Sequence, residues 1–148
     1  MRGGRSGRPS HARGFTLLEL MVVIFIVAIL ASVLSPIFYR RVNSARWSEG
    51  MAGAGAIATA LRTYCVQQEA DLTLTIDGAT LGGFALIGLL DADLKGKYFG
   101  AADYNATVSY TRSTGALSYV ITINNPGTLT GGPITLNQAG EWTGAGSL

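Results

Sequence analysis

The chain has one histidine, one cysteine and few charges, and each scarcity closes off a chemistry. His11 sits in an N-terminal arginine-rich stretch with no second imidazole anywhere, so a histidine-pair metal site has no second ligand. Cys65 stands alone, which rules out an intrachain disulfide and a thiolate zinc cluster. Charged side chains make up 14% of 148 residues and are scattered, so no carboxylate pair for hydrolysis can be proposed from spacing. There is no Gly-x-x-x-x-Gly-Lys-Ser/Thr loop, and Gly53-Ala54-Gly55 lies inside a helical pattern and not after a strand. Asp91-Ala92-Asp93 opens like a calcium loop with Gly96 in place, but Lys95 falls on a ligand position and Ala102 stands where the bidentate acid belongs. Capping and solvation are the expected roles of those two aspartates. No catalytic, cofactor-binding or metal-binding residue is nominated, and an enzyme is not expected.

Acid is missing from the first fourteen residues, which carry Arg2, Arg5, Arg8 and Arg13. Eleven basic side chains less those four leave seven against nine acids from Phe15 onward. The formal +2 therefore hides a mildly acidic body, which speaks against a general nucleic-acid surface. Charge is missing again from Leu20 to Tyr39, twenty residues, enough at about 1.5 Å per residue to cross a hydrocarbon layer of about 30 Å. The arginines on the Met1 side predict a cytoplasmic N-terminus, with the rest of the chain sent outward. A secretory signal shares this pattern, and Ile29-Leu30-Ala31 is a passable cleavage site that would start the mature chain at Ser32. Two features favour a retained anchor. Apolar character runs on through Val33, Leu34, Ile37 and Phe38, and helical periodicity resumes beyond Arg46.

The stretch Gly14-Phe15-Thr16-Leu17-Leu18-Glu19-Leu20-Met21, followed by an apolar run and Pro36, resembles the N-terminus of type IV prepilins and of the pseudopilins of type II secretion. The resemblance covers Arg13 to Tyr39 and, more loosely, the helix to Gln68. It implies a leader, residues 1–14, cut off between Gly14 and Phe15 by a prepilin peptidase, with N-methylation of the new Phe15 terminus. His11 and Arg13 would leave with the leader. Ala28 stands where many members of the family carry glycine, so any local loosening of the helix falls to Ser32, Ser35 and Pro36.

An acid at the lip of an apolar helix is costly unless it has a partner or a function. Glu19 has no lysine or arginine within a turn on its C-terminal side, and the cut that would remove Arg13 also creates an α-amine at Phe15. Four residues separate that amine from Glu19, within reach of an intrachain pair. The resemblance implies instead that Glu19 attracts the Phe15 amine of an adjacent subunit. A helix N-terminus favours an acid by its dipole alone, and that reading is physically sufficient as well. Assembly residues expected from the motif are Phe15, Glu19 and Pro36.

Beyond the span, Pro36 is expected to bend the helix without ending it. Met51, Ala54, Ala58, Leu61 and Cys65 recur at spacings of three and four, one apolar stripe. Gly50, Gly53 and Gly55 each cost about 1 kcal/mol of helix stability relative to alanine, so close packing is expected there. Cys65 on the stripe reads as a small buried hydrophobe. From residue 70 to 102 the pattern loosens into a variable loop, with turns at Asp77-Gly78 and Gly82-Gly83 and a helical turn within Leu86 to Leu94. Tyr104, Ala106, Val108 and Tyr110 alternate with polar residues, and Leu117, Tyr119, Ile121 and Ile123 do so again after Ser113-Thr114-Gly115. Ile134 to Asn137 and a short segment around Trp142 complete a meander of three to four antiparallel strands over 103–143, covered by the helix.

The expected fold is therefore α+β, a long N-terminal helix whose second half (40–69) packs on a small sheet and whose first half (15–39) spans the membrane. The expected function is a structural subunit of a type IV pilus-like filament. The resemblance implies self-association, a prepilin peptidase, an assembly ATPase and a platform protein as partners, with membrane lipid around the helix before assembly. Single-pass inner-membrane insertion is expected first, and an extracellular or periplasmic filament afterwards. A type II secretion pseudopilin shares every N-terminal feature. A DNA-binding minor pilin would have to draw on Arg112, Lys95 and Lys97, and a plain bitopic or secreted protein would start elsewhere.

Overall fold

Helix α1 runs over Leu17–Val66 in a computed structural model that describes residues 14–144. Residues 1–13, which hold most of the expected leader with His11 and Arg13, lie outside the described residues, as do 145–148. The chain divides into two compact units, Met1–Tyr39 and Arg40–Leu148.

Every described residue of the first unit is exposed. An 18-residue window of α1 has a mean hydropathy of 3.0 with none of it buried within the chain, so it is long and apolar enough to cross a membrane. The sequence explains why this segment is helical. Leu20 to Ala31 has no glycine or proline, and its surface is uniformly apolar, as a helix bathed in lipid requires. Pro36 lacks an N–H, so the Ser32 carbonyl loses its usual donor four residues on, yet α1 continues through it. The Ser32 hydroxyl turns back to donate to the Ile29 carbonyl at 2.7 Å, satisfying its own polarity inside the helix.

The second unit holds the sheet, strands β1 (Leu72–Asp77), β2 (Tyr104–Thr111), β3 (Ala116–Ile123), β4 (Ile134–Asn137) and β5 (Trp142–Gly144), all antiparallel in the order β1-β2-β3-β4-β5. The α+β fold is as expected. The sheet has five strands, one more than the three to four expected. The addition is β1, which lies in the stretch read as loosened loop and pairs Leu72 to Asp77 with Tyr110 to Asn105. Its sequence, Leu-Thr-Leu-Thr-Ile-Asp, alternates with period two and buries Ile76. The alternation is short and ends on the Asp77-Gly78 turn signal, so the local pattern is divided between strand and loop.

On the inner face β2 buries Tyr104, Ala106, Val108 and Tyr110, and β3 buries Tyr119, Ile121 and Ile123, the two alternations the sequence displays. Against them α1 sets Trp47, Gly50, Ala54, Ile57, Ala58, Leu61 and Cys65. Met51, which opens the predicted stripe, is only half-buried, and Trp47 and Ile57 carry more of the contact. Truncating a buried leucine or isoleucine of this kind to alanine costs about 2–5 kcal/mol.

Two of the three helix glycines have a packing reason. A Cβ on Gly53 would run into the Tyr104 hydroxyl, and one on Gly50 would come within 3.0 Å of the Phe99 ring. Phe99 packs between Trp47 and Tyr104, its ring tilted by 52° and 42° to theirs with centroids at 5.3 and 6.3 Å. Gly55 faces open space, and nothing in the fold accounts for it.

The connection from β1 to β2 is anchored to the helix by Glu49, whose Oε1 accepts the Tyr98 and Phe99 N–H groups at 2.8 and 3.0 Å. That pair of bonds seats Phe99 in the core. A 3-10 turn, Ala85–Ile87, lies within the connection and closes on Gly88 in the left-handed region (φ 82°). Burial of Phe84, Ile87 and Leu94 fixes the remainder.

Candidate functional site at the start of the helix

Gly14, Phe15 and Thr16 lie in non-helical backbone immediately before α1. Phe15 is 76% exposed, and the space around the Gly14 Cα is open. Thr16 is the N-cap and Glu19 the third helical residue, the Thr-x-x-Glu spacing of a capping box. Both halves of the box are formed. The Glu19 N–H donates to Thr16 Oγ1 at 3.2 Å, and the Thr16 N–H donates to Glu19 Oε2 at 2.9 Å. The Thr16 hydroxyl also donates to Oε2 at 2.9 Å, and the first backbone bond of the helix joins the Leu20 N–H to the Thr16 carbonyl at 3.2 Å. Oε2 thus takes two hydrogen bonds, while Oε1 takes none from any described residue.

The box answers part of the question that the sequence raises about this acid. Its spacing is plain in Thr16-Leu17-Leu18-Glu19, although charge and hydropathy single out Glu19 and not Thr16. An N-terminal acid gains from the helix dipole and here also satisfies one of the orphan N–H groups of the first turn. Of the residues expected to act in assembly, Phe15 and Glu19 fall together at this terminus. Pro36 is seventeen residues further along, roughly 25 Å at 1.5 Å per residue, and is not part of the same cluster.

The remaining candidates are in the second unit. Asp93 Oδ2 accepts the Leu90 N–H at 2.9 Å and Asp91 Oδ2 accepts the Gly82 N–H at 3.3 Å, so both aspartates cap turns. Arg112 follows β2, where its N–H donates to Asp71 at 2.8 Å. Lys97 stacks on Tyr98 at 5.3 Å from the ring centroid, and Arg46 lies 4.9 Å from the same ring. No sequence signal marks that pairing, since Arg46 and Tyr98 are about fifty residues apart and meet where the Glu49 anchor holds the connection on the helix. The Cys65 thiol is buried in the core, and burial pushes its pKa up.

A model of the prokaryotic N-terminal methylation motif matches residues 9–35, the segment that contains this site. That motif is the signature shared by type IV pilins and pseudopilins. The chain matches no curated protein and no solved structure.

Proposed function

We propose that this chain is a structural subunit of a type IV pilus-like filament, inserted in the inner membrane through Leu20 to Tyr39, cut between Gly14 and Phe15 and methylated on Phe15. The methylation motif supports a pilin-like or pseudopilin subunit and implies processing by a prepilin peptidase and assembly into a filament. One observation carries the assembly mechanism. A carboxylate whose Oε1 takes no hydrogen bond from any described residue stands at the entrance of an apolar helical segment, residues 17–39, that is exposed all round.

Such a helix is stable in lipid or in a bundle of its own kind, and assembly transfers the Leu20 to Tyr39 surface from the first to the second. Apolar burial changes little in that transfer, because lipid tails are as apolar as leucine. Packing and polar pairing therefore select the register. In this reading Glu19 Oε1 receives the Phe15 ammonium of an adjacent subunit, a pair that gains strength as water and lipid headgroups are excluded. Leaving either charge unpaired there is penalised more than the pair is rewarded, which makes the contact a register check more than a glue. Pro36 and Ser32, where the backbone ladder is already broken, are the places at which the helix gives way when subunits pack.

Mass spectrometry of the mature chain tests the processing. N-methyl-Phe15 is the expected terminus, and a start at Ser32 would end the pilin reading. Glu19→Ala is expected to be cleaved but poorly incorporated, so a normal filament yield from that variant refutes the pairing. The pseudopilin alternative shares the whole N-terminal segment, and imaging fibres from cells that carry a tagged copy separates the two: long surface fibres support a pilus, short periplasmic ones a pseudopilus.

A further inference from the structure

We propose that Thr16 is a positioning residue for the cut: its hydroxyl stops α1 at Leu17 and so keeps the Gly14–Phe15 bond in open, non-helical chain where a peptidase can take it. The inference rests on the processing assigned under Proposed function. It concerns what makes that bond available.

A protease cleft needs the carbonyl and N–H groups around the scissile bond free to pair with the enzyme, and a helix has already used or walled off these groups. The reaction adds one water across the Gly14 carbonyl carbon and the Phe15 nitrogen, leaving a carboxylate on Gly14 and an amine on Phe15. Both residues are non-helical and exposed, and the boundary lies one residue later.

What sets the boundary is readable in the sequence. Between Ser10 and Ser32, Thr16 is the sole serine, threonine, aspartate or asparagine, so it alone offers one of the preferred capping side chains along this stretch. Downstream lie only poor caps, from Leu17 to Ala31. Upstream, Gly14 is the next residue with any capping preference, and a helix that started there would draw Phe15 and the scissile nitrogen into its first turn. Near a lipid interface the orphan N–H groups of an uncapped terminus have little water to turn to, which favours that upstream extension.

Thr16 and Glu19 share the box, but the bond that stops the helix does not need the carboxylate. The cap bond runs from the backbone N–H of residue 19 to Thr16 Oγ1, and any side chain at 19 other than proline keeps that donor. Thr16 governs the availability of the bond to be cut. The Glu19 carboxylate governs what happens after the cut.

The test uses the full-length precursor in detergent micelles with purified prepilin peptidase. Thr16→Val keeps the shape and removes the hydroxyl, and Thr16→Ser restores the hydroxyl. Expected is a fall in kcat/KM of roughly 3- to 30-fold for Thr16→Val, the range that the loss of an N-cap implies, and recovery to within about twofold for Thr16→Ser. Backbone chemical shifts in the same micelles supply the second readout: Gly14 and Phe15 should move toward helical values in Thr16→Val and stay extended in Thr16→Ser. Unchanged cleavage of Thr16→Val overturns the proposal. Slowed cleavage with unmoved Gly14 and Phe15 shifts overturns it too, since the peptidase would then be reading the hydroxyl directly. A wild-type precursor that is not cut after Gly14 overturns the processing assignment itself, an outcome distinct from both.

Discussion

Gly53 and Gly55 sit two residues apart in the same helix, and the structure predicts opposite signs for the same substitution. Replacing glycine by alanine in a helix interior gains about 0.8–1 kcal/mol from propensity alone. At Gly55 a Cβ meets nothing within 4 Å, so Gly55→Ala should keep the whole gain. At Gly53 the new methyl would overlap Tyr104, which is 1% exposed and held against Phe99 by the core. Overpacking of this kind costs about 1–3 kcal/mol, so Gly53→Ala should come out between neutral and about 2 kcal/mol destabilised. The two variants are thus separated by about 1–3 kcal/mol. For a domain near this size, 1 kcal/mol moves Tm by about 4–8 °C. Thermal unfolding of the detergent-solubilised chain, followed by the fluorescence of the buried Trp47, resolves such a difference. Tyr104→Phe should partly rescue Gly53→Ala, because it removes the atom nearest the added methyl while leaving the ring. Equal stability of the two alanine variants would refute the claim that Gly53 is there to let the helix close on Tyr104.

Two more predictions follow from groups whose ionisation the fold perturbs. The Tyr98 N–H, supported by those of Phe99 and Lys97 and by the Lys97 charge, holds the Glu49 carboxyl below the usual glutamate range. A lowered folded-state pKa contributes stability that is complete above the ordinary glutamate value and is lost as pH falls through the lowered one. Urea midpoints should therefore fall on acidification through that range, and Glu49→Ala, expected to cost on the order of 1–3 kcal/mol at neutral pH, should flatten that part of the profile; an identical acid dependence in the variant refutes the role. Cys65 is 1% exposed and burial raises its thiol pKa, so a thiol reagent should label it only as the head unfolds, with the labelled fraction tracking the denaturation curve. Rapid labelling under native conditions would contradict the burial of α1 on the sheet.

The parts of the fold that repeat were legible, and the parts that depend on distant contacts were not. Strands β2, β3 and β4 are written in alternations such as Tyr104, Ala106, Val108 and Tyr110, which only one face of a sheet can satisfy. The stripe on α1 was equally plain from Ala54 to Cys65, though Trp47 and Gly50 extend it N-terminally by two turns. Strand β1 carries the same alternation, but six residues beside an Asp-Gly turn gave a weaker pattern than the loop signals around it. The Glu49 anchor could not be read at all. It joins a helix to a loop about fifty residues away, and nothing local in Trp47-Ser48-Glu49 says which backbone will arrive there. At the N-terminus the signal was present in full, since Thr-x-x-Glu is a capping pattern wherever it precedes an apolar helix. Charge and hydropathy mark Glu19, whereas the residue that holds it is marked by its spacing alone.

The capping box also changes what the proposed assembly contact requires. A carboxylate waiting at a membrane surface for a partner would have to bear its desolvation alone until a neighbouring subunit arrived. Glu19 does not wait bare, because Thr16 supplies an N–H and a hydroxyl to Oε2. The two donors offset part of the cost of keeping an ionised group at the edge of a hydrocarbon layer, and they come from a residue that lies after the proposed cut. The proposed hydrolysis between Gly14 and Phe15 would therefore leave the box intact, while it would create the amine that the other oxygen can meet. In the proposed mechanism pairing with an adjacent Phe15 ammonium uses Oε1 and breaks no bond to a described residue. The barrier to incorporation then lies in moving the apolar helix, and the acid needs no rearrangement to be ready for it.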